Sequence, residues 1–290
     1  MSRTVHLTKG GIMHPKVRYK DIDIVSCFGV GLMHVLAVFG FWYFSVSGFI
    51  ICIALAFLTG WIGITLCYHR LLTHGSFKTY PWCKYVLAIM GTFAYQGGPI
   101  KWVGIHRLHH KHADEELDPH TPNHGFSWSH MLWVLLRDPD EIDPRDAAKD
   151  LSRDLGLVII DKLCYFPQIF LAAALYGIGY WIGGNDLGLS WVFWGIGVRT
   201  SVMYHATWFV NSACHTWGYR NFDTRDRSTN LWWVAWLSAG EGWHNNHHHQ
   251  QRSASHGMRW YEFDPTYRMI QLLGICGLAW NIVEPQPPED

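Results

Sequence analysis

Charge is scarce and balanced in this chain. Twenty-three basic and 23 acidic residues in 290, 16% of the total, leave a formal net charge of zero. The basic field that a nucleic-acid partner would require is therefore missing. The seven cysteines, at 27, 52, 67, 83, 164, 214 and 276, are odd in number, contain no Cys-x-x-Cys and mostly fall in or beside apolar runs. They offer no disulfide framework and read as buried thiols. Residues 1–21 have no basic segment followed by a continuous apolar one and a small-residue cleavage site, so no leader is expected to be removed. Internal repeats and low-complexity segments are also lacking, and only the Pro-rich tail, 283–290, is expected to be disordered. A single domain over 1–290 is the simplest organisation.

What the chain has is long apolar runs. A mean hydropathy of zero conceals them. Residues 25–44, 47–67, 163–183 and 188–210 each read as a helix able to cross about 30 Å of hydrocarbon. Short breaks pair them into two expected hairpins. The hairpin loops carry no Lys or Arg, whereas the termini and 70–162 hold nearly all of them, which places the termini and the middle segment on the cytoplasmic side. Segments 85–93, 131–136 and 269–283 are too short to span and read as interfacial or capping helices. The 17 Trp, 13 Tyr and 15 Phe suit the two interfaces of a bilayer. The expected fold is all-α and integral to the membrane: four spans in two hairpins, under a cytoplasmic helical cap.

The 19 histidines carry the chemistry. Three boxes occur: His69 and His74 as H-x4-H, His106, His109 and His110 as H-x2-H-H, and His244, His247 and His248 as H-x2-H-H extended by His249. On a helix, residues at i, i+3 and i+4 share a face, so each H-x2-H-H forms a three-pronged claw. The i, i+5 pair does not share an α-helical face and calls for a helix terminus between its members. The first box follows the second span, the second precedes the third span and the third follows the fourth, so all three lie on the cytoplasmic side. At the cytoplasmic end of the fourth span Asn211 and His215 point the same way, adding a ninth imidazole. Nine neutral imidazoles suit iron, zinc, copper or nickel, and the count exceeds what one metal needs. Nine histidines and a water held by Asn211 would fill two sites, which fits two irons best. Carboxylate di-iron bundles use two Glu-x-x-His repeats; here there is one, at Glu241 and His244, so Glu241 is expected to orient a ligating ring.

With these boxes and Asn211-Ser212-Ala213-Cys214-His215 in order, the chain resembles the membrane fatty acid delta-9 desaturases, the stearoyl-CoA desaturase-like family. Asp118-Pro119-His120, the stretch from Gly125 to Met131, Ala206-Thr207-Trp208, Gly218-Tyr219-Arg220 and Gly240-Glu241-Gly242-Trp243 look like family text, over about 60–279. The compact form without a fused cytochrome b5 domain is similar to bacterial, cyanobacterial and plant members. Two positions depart from the pattern. Ile105 stands where animal members have Asp, and His249 stands where relatives usually have Ala.

The resemblance implies a dioxygen-dependent di-iron enzyme that inserts a cis double bond near carbon nine of a saturated acyl chain. Implied partners are an acyl-CoA or acyl-lipid substrate, O2 and a separate electron donor such as ferredoxin or cytochrome b5. Its metal ligands would be the nine boxed and span-end histidines, with Asn211 and Glu241 beside them. Trp102 and Trp208 are candidates for the tunnel entrance. Counting back from His69 at α-helical phase, Leu58, Leu55 and Ala54 would line the tunnel's lower part. The rival in the same superfamily is a hydroxylase. The rival in another class is a membrane protein binding metal or haem without catalysis, which boxes gathered at one membrane face disfavour.

His34 and His205, inside spans, read as packed or hydrogen-bonded, and Arg199 as facing protein. His6, His14, His112, His124 and His256 read as surface residues, and His120 and His130 as structural. The charge pattern predicts that a cysteine placed at Ser45 reacts with an impermeant thiol reagent only from the non-cytoplasmic side; labelling from the cytoplasmic side alone would refute this topology.

Overall fold

The computed structural model describes residues 22–136 and 142–288. His6, His14 and the expected lack of a leader lie outside the described residues. The first helix, Ile24–Gly40, starts where the Asp23 carboxylate accepts from the Val25 and Ser26 amides. The second starts at Ser45, whose hydroxyl accepts from Gly48 N, and runs unbroken from Val46 to Thr73, well past the expected end at 67. Phe166–His215 is a second long apolar run, broken at Gly183 and Gly184, where φ of Gly184 is +78°. Beyond that break the chain doubles back. Gln168 Nε2 donates to Thr200 Oγ1, and the Gly179 backbone closes on Gly188 so tightly that a Cβ on Gly179 would lie 2.9 Å from Gly188 Cα.

Val46–Thr73 and Phe166–His215 are long and apolar enough to cross a membrane, and Ile24–Gly40 is a shorter apolar helix. Their outer faces are strongly exposed at Phe28, Phe41, Trp42, Phe170 and Trp181. Water would not tolerate that much contiguous aromatic surface. The first two helices do not form the expected tight hairpin. Ile24–Gly40 packs mainly on 193–198, where Gly197 lets the two backbones meet at Leu36 and Ala37 and Trp194 Nε1 donates to Gly40 O at 3.0 Å. Val46–Ala56 also packs on 193–198, so that limb lies against both helices.

Phe57–Thr73 is π-helical. An α-helix would separate residues five apart by about 140°, but here the i→i+5 bond from His74 N to His69 O, 3.2 Å, stacks the pair on one face. No unwinding between the two is needed.

Above the long helices sits a cap of short ones: Pro81–Thr92, Pro99–His112, Leu155–Lys162, Trp232–Leu237, His244–His249 and Pro265–Ile275. Asp161 accepts from the Ile100 and Lys101 amides at the start of Pro99–His112, in the place of an N-cap. The tail to residue 288 is bonded to this cap rather than loose. Lys78 pairs with Trp280 and Thr79 with Ala279, Val283 N donates to Ser76 O, and Gln286 N donates to Gln250 Oε1. Five cysteines are buried and all seven are free; Cys276 is exposed.

Arg199, wholly buried, has no carboxylate partner among the described residues. It donates to Gly195 O, Phe93 O, Thr59 Oγ1 and Gln168 Oε1. His34 and His205 bond each other at 3.1 Å, and His205 bonds His130 at 2.9 Å.

At Gly63 a Cβ would lie 2.5 Å from Gly91 N and 2.7 Å from Met90 C. Gly63→Ala is expected to cost about 1–3 kcal/mol through the backbone shift it forces, read as a lower Tm in detergent. Gly31→Ala, with open space at its Cβ, should cost nothing.

Candidate metal centre

All nine histidines singled out in the sequence converge, in two groups that could each hold a metal ion: His69, His74, His106, His110 and His247, and His109, His215, His244 and His248. Pro99–His112 feeds both groups, because His106 and His110 face one way and His109, between them, faces the other. His244–His249 is likewise split, with His247 in the five-histidine cage and His244 and His248 in the four-histidine cage. The two claws therefore do not each close on one metal, as three-pronged convergence would suggest. Each helix straddles both cages. His249 stays outside, exposed and stacked on Phe222 at 4.0 Å.

The chemistry of the donor set tests whether metal fits. His109 Nδ1 lies 3.0 Å from Asp118 Oδ2, and His248 Nδ1 lies 2.9 Å from Asp226 Oδ2. With each Nδ1–H given to a carboxylate, the two Nε2 lone pairs face one another at 3.2 Å. In the other cage His110 Nε2 faces His106 Nε2 at 3.0 Å and His247 Nε2 at 2.9 Å. His247 Nε2 in turn faces His69 Nε2 at 3.1 Å. Between His109 and His248 two lone pairs this close need a proton or a metal between them, and the contacts in the other cage are filled either by Nε2–H···Nε2 bonds between neutral rings or by a metal. The set fits a pair of nitrogen-ligated metal ions.

Burial decides against protons at most of these rings. It drives His74, His106, His110, His244 and His247 far below the ordinary imidazole value, assisted by neighbouring histidines, and takes His248 down to about 4. His109 goes the other way: burial lowers it, but Asp118 outweighs burial and raises it.

Glu241 meets His69 Nδ1 in a very short contact and takes Arg70 Nη2 at 2.9 Å. Burial would raise its carboxyl, but His69 and Arg70 together hold it below the usual range. Asp114 Oδ1 lies 2.9 Å from His215 Nδ1. Sequence reasoning found Glu241 but missed Asp114, Asp118 and Asp226. The spacing of Asp114, four residues after His110, and the position of Asp118 beside His120 were the available signals. It also misplaced His256. That residue is fully buried, 4.3 Å from the His247 ring, with Nδ1 3.4 Å from Arg70 Nη2. His120 is buried against Asp118, while His112 and His124 are half-buried.

Two cavities approach the cages and share Trp102, His106, Thr207 and Asn211. The outer one, about 210 Å³, is walled by Val25, Gly29, Lys101, Ile105, Tyr204 and Trp208 among others. The inner one runs under His69, His244 and Glu241 to Gly60, Ile64 and Met203. At their junction Trp102 Nε1 donates to Gln96 Oε1, Gln96 Nε2 donates to Thr207 Oγ1 at 3.0 Å, and Trp102 stacks on His106. Trp102 and Trp208 thus line the channel. Leu58, Leu55 and Ala54 line neither cavity: Ala54 and Leu58 are exposed, and Leu55 packs toward Gly195. The expected stripe assumed α-helical phase, and the π-helical turns rotate it off the channel.

Fold and site together define a helical membrane-type oxidoreductase with buried histidine clusters able to hold metal. The sequence model of the fatty acid desaturase family matches residues 45–274. The chain is 47% identical over 259 residues to the sn-1 stearoyl-lipid 9-desaturase of Anabaena variabilis, covering 89% of this chain and 92% of that one. It is 44% identical to the sn-2 palmitoyl-lipid 9-desaturase of Nostoc sp. (strain 36) over 89% of each chain. It is 39% identical to the acyl-CoA C20 Delta5-desaturase of Anemone leveillei, over 92% of this chain and 84% of that one. The chain belongs to the fatty acid desaturase family.

The lowered imidazoles fix the pH response of the metal-free protein. Below the ordinary value of 6.5 the unfolded chain binds protons that the buried rings refuse, so their stability contribution is present above pH 6.5 and lost as pH falls, for His248 until about 4. His109, raised, opposes this with one group against many. Tm of the stripped protein should drop steeply between pH 6.5 and 5; a flat profile would contradict burial of neutral rings.

Proposed function

We propose that the two cages hold two irons and that the enzyme inserts a cis double bond at the delta-9 position of a saturated acyl chain carried on a lipid. The observation that carries this reading is that both cages border two adjoining cavities, through His69 and His106 of one cage and His244 of the other, and that the lining of these cavities mixes apolar side chains with polar ones at Gln96, Thr207 and Asn211. Nitrogen donors from nine histidines, beside cavities that reach between the apolar helices, suit an oxidant that must act where the substrate has no polar handle. Bound there, the two irons would supply the capacity to use O2, two electrons and two protons to remove a hydrogen from each of two adjacent methylenes, leaving an alkene and two waters.

The chain's own residues position the substrate. An acyl chain entering beside Lys101 and Tyr165 passes the Trp102–Gln96–Thr207 constriction and extends its methyl end toward Gly60, Ile64 and Met203. Trp102, stacked on His106, presses the alkyl chain against the cage wall. Asn211 borders both cavities beside His244 and is suited to hold a water at the four-histidine cage. Glu241, Asp118 and Asp226 fix their rings with Nε2 inward. Delta-9 selectivity and the lipid carrier rest on the relatives' names, two of which specify acyl lipids desaturated at position 9.

We further propose four membrane crossings, the doubled-back limbs of Phe166–His215 counting as two and Ile24–Gly40 as a short one, with the cages on the cytoplasmic side. Ferredoxin or cytochrome b5, as a separate carrier, would deliver the electrons there. The hydroxylase alternative has no observation of its own in its favour.

Expression in a desaturase-deficient host should yield cis-9 monoenes by gas chromatography of the lipids. Ala at any one of the nine cage histidines should abolish them, while His249→Ala should retain most activity; hydroxylated acyl chains instead of alkenes would overturn the reading. The channel's blind end sets chain length. Met203→Ala should admit longer chains and Gly60→Ile shorter ones, shifting the ratio of sixteen- to eighteen-carbon products severalfold in opposite directions, because cavity and overpacking effects are local.

A further inference from the structure

The carboxylates behind the cages are divided unequally. In the four-histidine cage two rings of four give Nδ1 to a carboxylate, His109 to Asp118 and His248 to Asp226 at 3.0 and 2.9 Å, and a third carboxylate, Asp114, lies 2.9 Å from His215 Nδ1 outside hydrogen-bond geometry. Among the described residues no Lys or Arg pairs with Asp118 or Asp226. Asp114 is approached by Arg227 Nε at 3.8 Å, and that side chain is 56% exposed, so solvent screens it.

The five-histidine cage has one such carboxylate, Glu241 behind His69. Arg70, wholly buried, sits on it and holds Asp264 with its other nitrogen at 2.8 Å. Arg70 thereby offsets part of the charge of the two carboxylates it joins. Among the described residues His110 and His247 of this cage, like His215 and His244 of the other, leave Nδ1 without a hydrogen-bond partner.

Two physical consequences follow from this division. A carboxylate that accepts Nδ1–H makes the opposite nitrogen a stronger donor to metal, and uncompensated buried charge attracts a cation more strongly the less it is screened. Both favour the four-histidine cage, although it has fewer ligands.

We propose that the two cages are unequal metal sites: Asp114, Asp118 and Asp226 make the four-histidine cage the tighter one, filled first and favouring the more highly charged ion. The five-histidine cage fills second and favours a divalent ion, because only one carboxylate backs its rings and Arg70 offsets part of that charge. This inference rests on the two-metal reading above.

The test is titration of the metal-stripped full-length protein in detergent with Co(II), followed by calorimetry and by the visible ligand-field absorption. The parent should take up two ions in two steps at least about tenfold apart in affinity. Asp118→Asn and Asp226→Asn should each weaken the first step about 10–100-fold and leave the second in place, while Glu241→Gln should weaken only the second. Asp226→Glu, which keeps the carboxylate, should restore the first step and its absorption band.

Two ions bound in one step overturn the inference. So does a Glu241→Gln variant that weakens the first step while Asp226→Asn spares it, or a pair of Asn variants that lose both steps together. Fewer than two ions bound by the parent would instead overturn the two-metal reading itself.

Discussion

The structure depends on one electrostatic constraint: nine imidazoles are packed so that their Nε2 atoms converge at 2.9–3.2 Å in the contacts among His69, His106, His110 and His247, and between His109 and His248. A buried lone pair facing another is repulsive until a cation lies between them. Protons could serve in principle, but burial makes imidazolium costly at most of these rings. The outer carboxylates sharpen the constraint by taking up the Nδ1 hydrogens, which leaves Nε2 as the only nitrogen available to a metal.

The rest of the molecule can be understood as support for that arrangement. The π-helical end of Val46–Thr73 stacks His69 over His74. Asp161 caps Pro99–His112, so that helix presents His109 to one cage and His106 and His110 to the other. The six-residue helix His244–His249 is too short to be stable alone. A polar network holds it: Asn245 accepts from the Asn221 and Phe222 amides, and Asn246 donates to Glu262 and His256 O. Arg70 then joins the second helix to the 254–264 loop through Ala254 O and Asp264. Below this cap, the apolar helices wall the two cavities and carry an exposed apolar outer surface.

Much of this was legible in the sequence, because its signals were local. Hydropathy marked the apolar runs, box spacing marked eight of the cage histidines, the span end beside Asn211 marked His215, and Glu-x-x-His marked Glu241. What escaped depended on tertiary geometry. Asp114 and Asp118 stand near His110 and His120, but that spacing alone does not separate them, or Asp226, from solvated carboxylates. His256 looked exposed because its burial comes from Arg70, His69 and His247, distant in sequence. The channel stripe at Leu58, Leu55 and Ala54 failed because π-helical turns change the phase on which it was counted. The first hairpin was misjudged for a similar reason: a short loop implies adjacency, whereas glycines at 40, 48 and 197 draw the 190–198 segment against both helices.

Iron K-edge X-ray absorption of the iron-loaded protein tests the central claim most directly. Two irons per chain should show a first shell dominated by nitrogen, with imidazole multiple scattering fitted by four to five histidines per iron. One iron per chain, or a first shell dominated by carboxylate oxygen or by sulfur, would contradict the account.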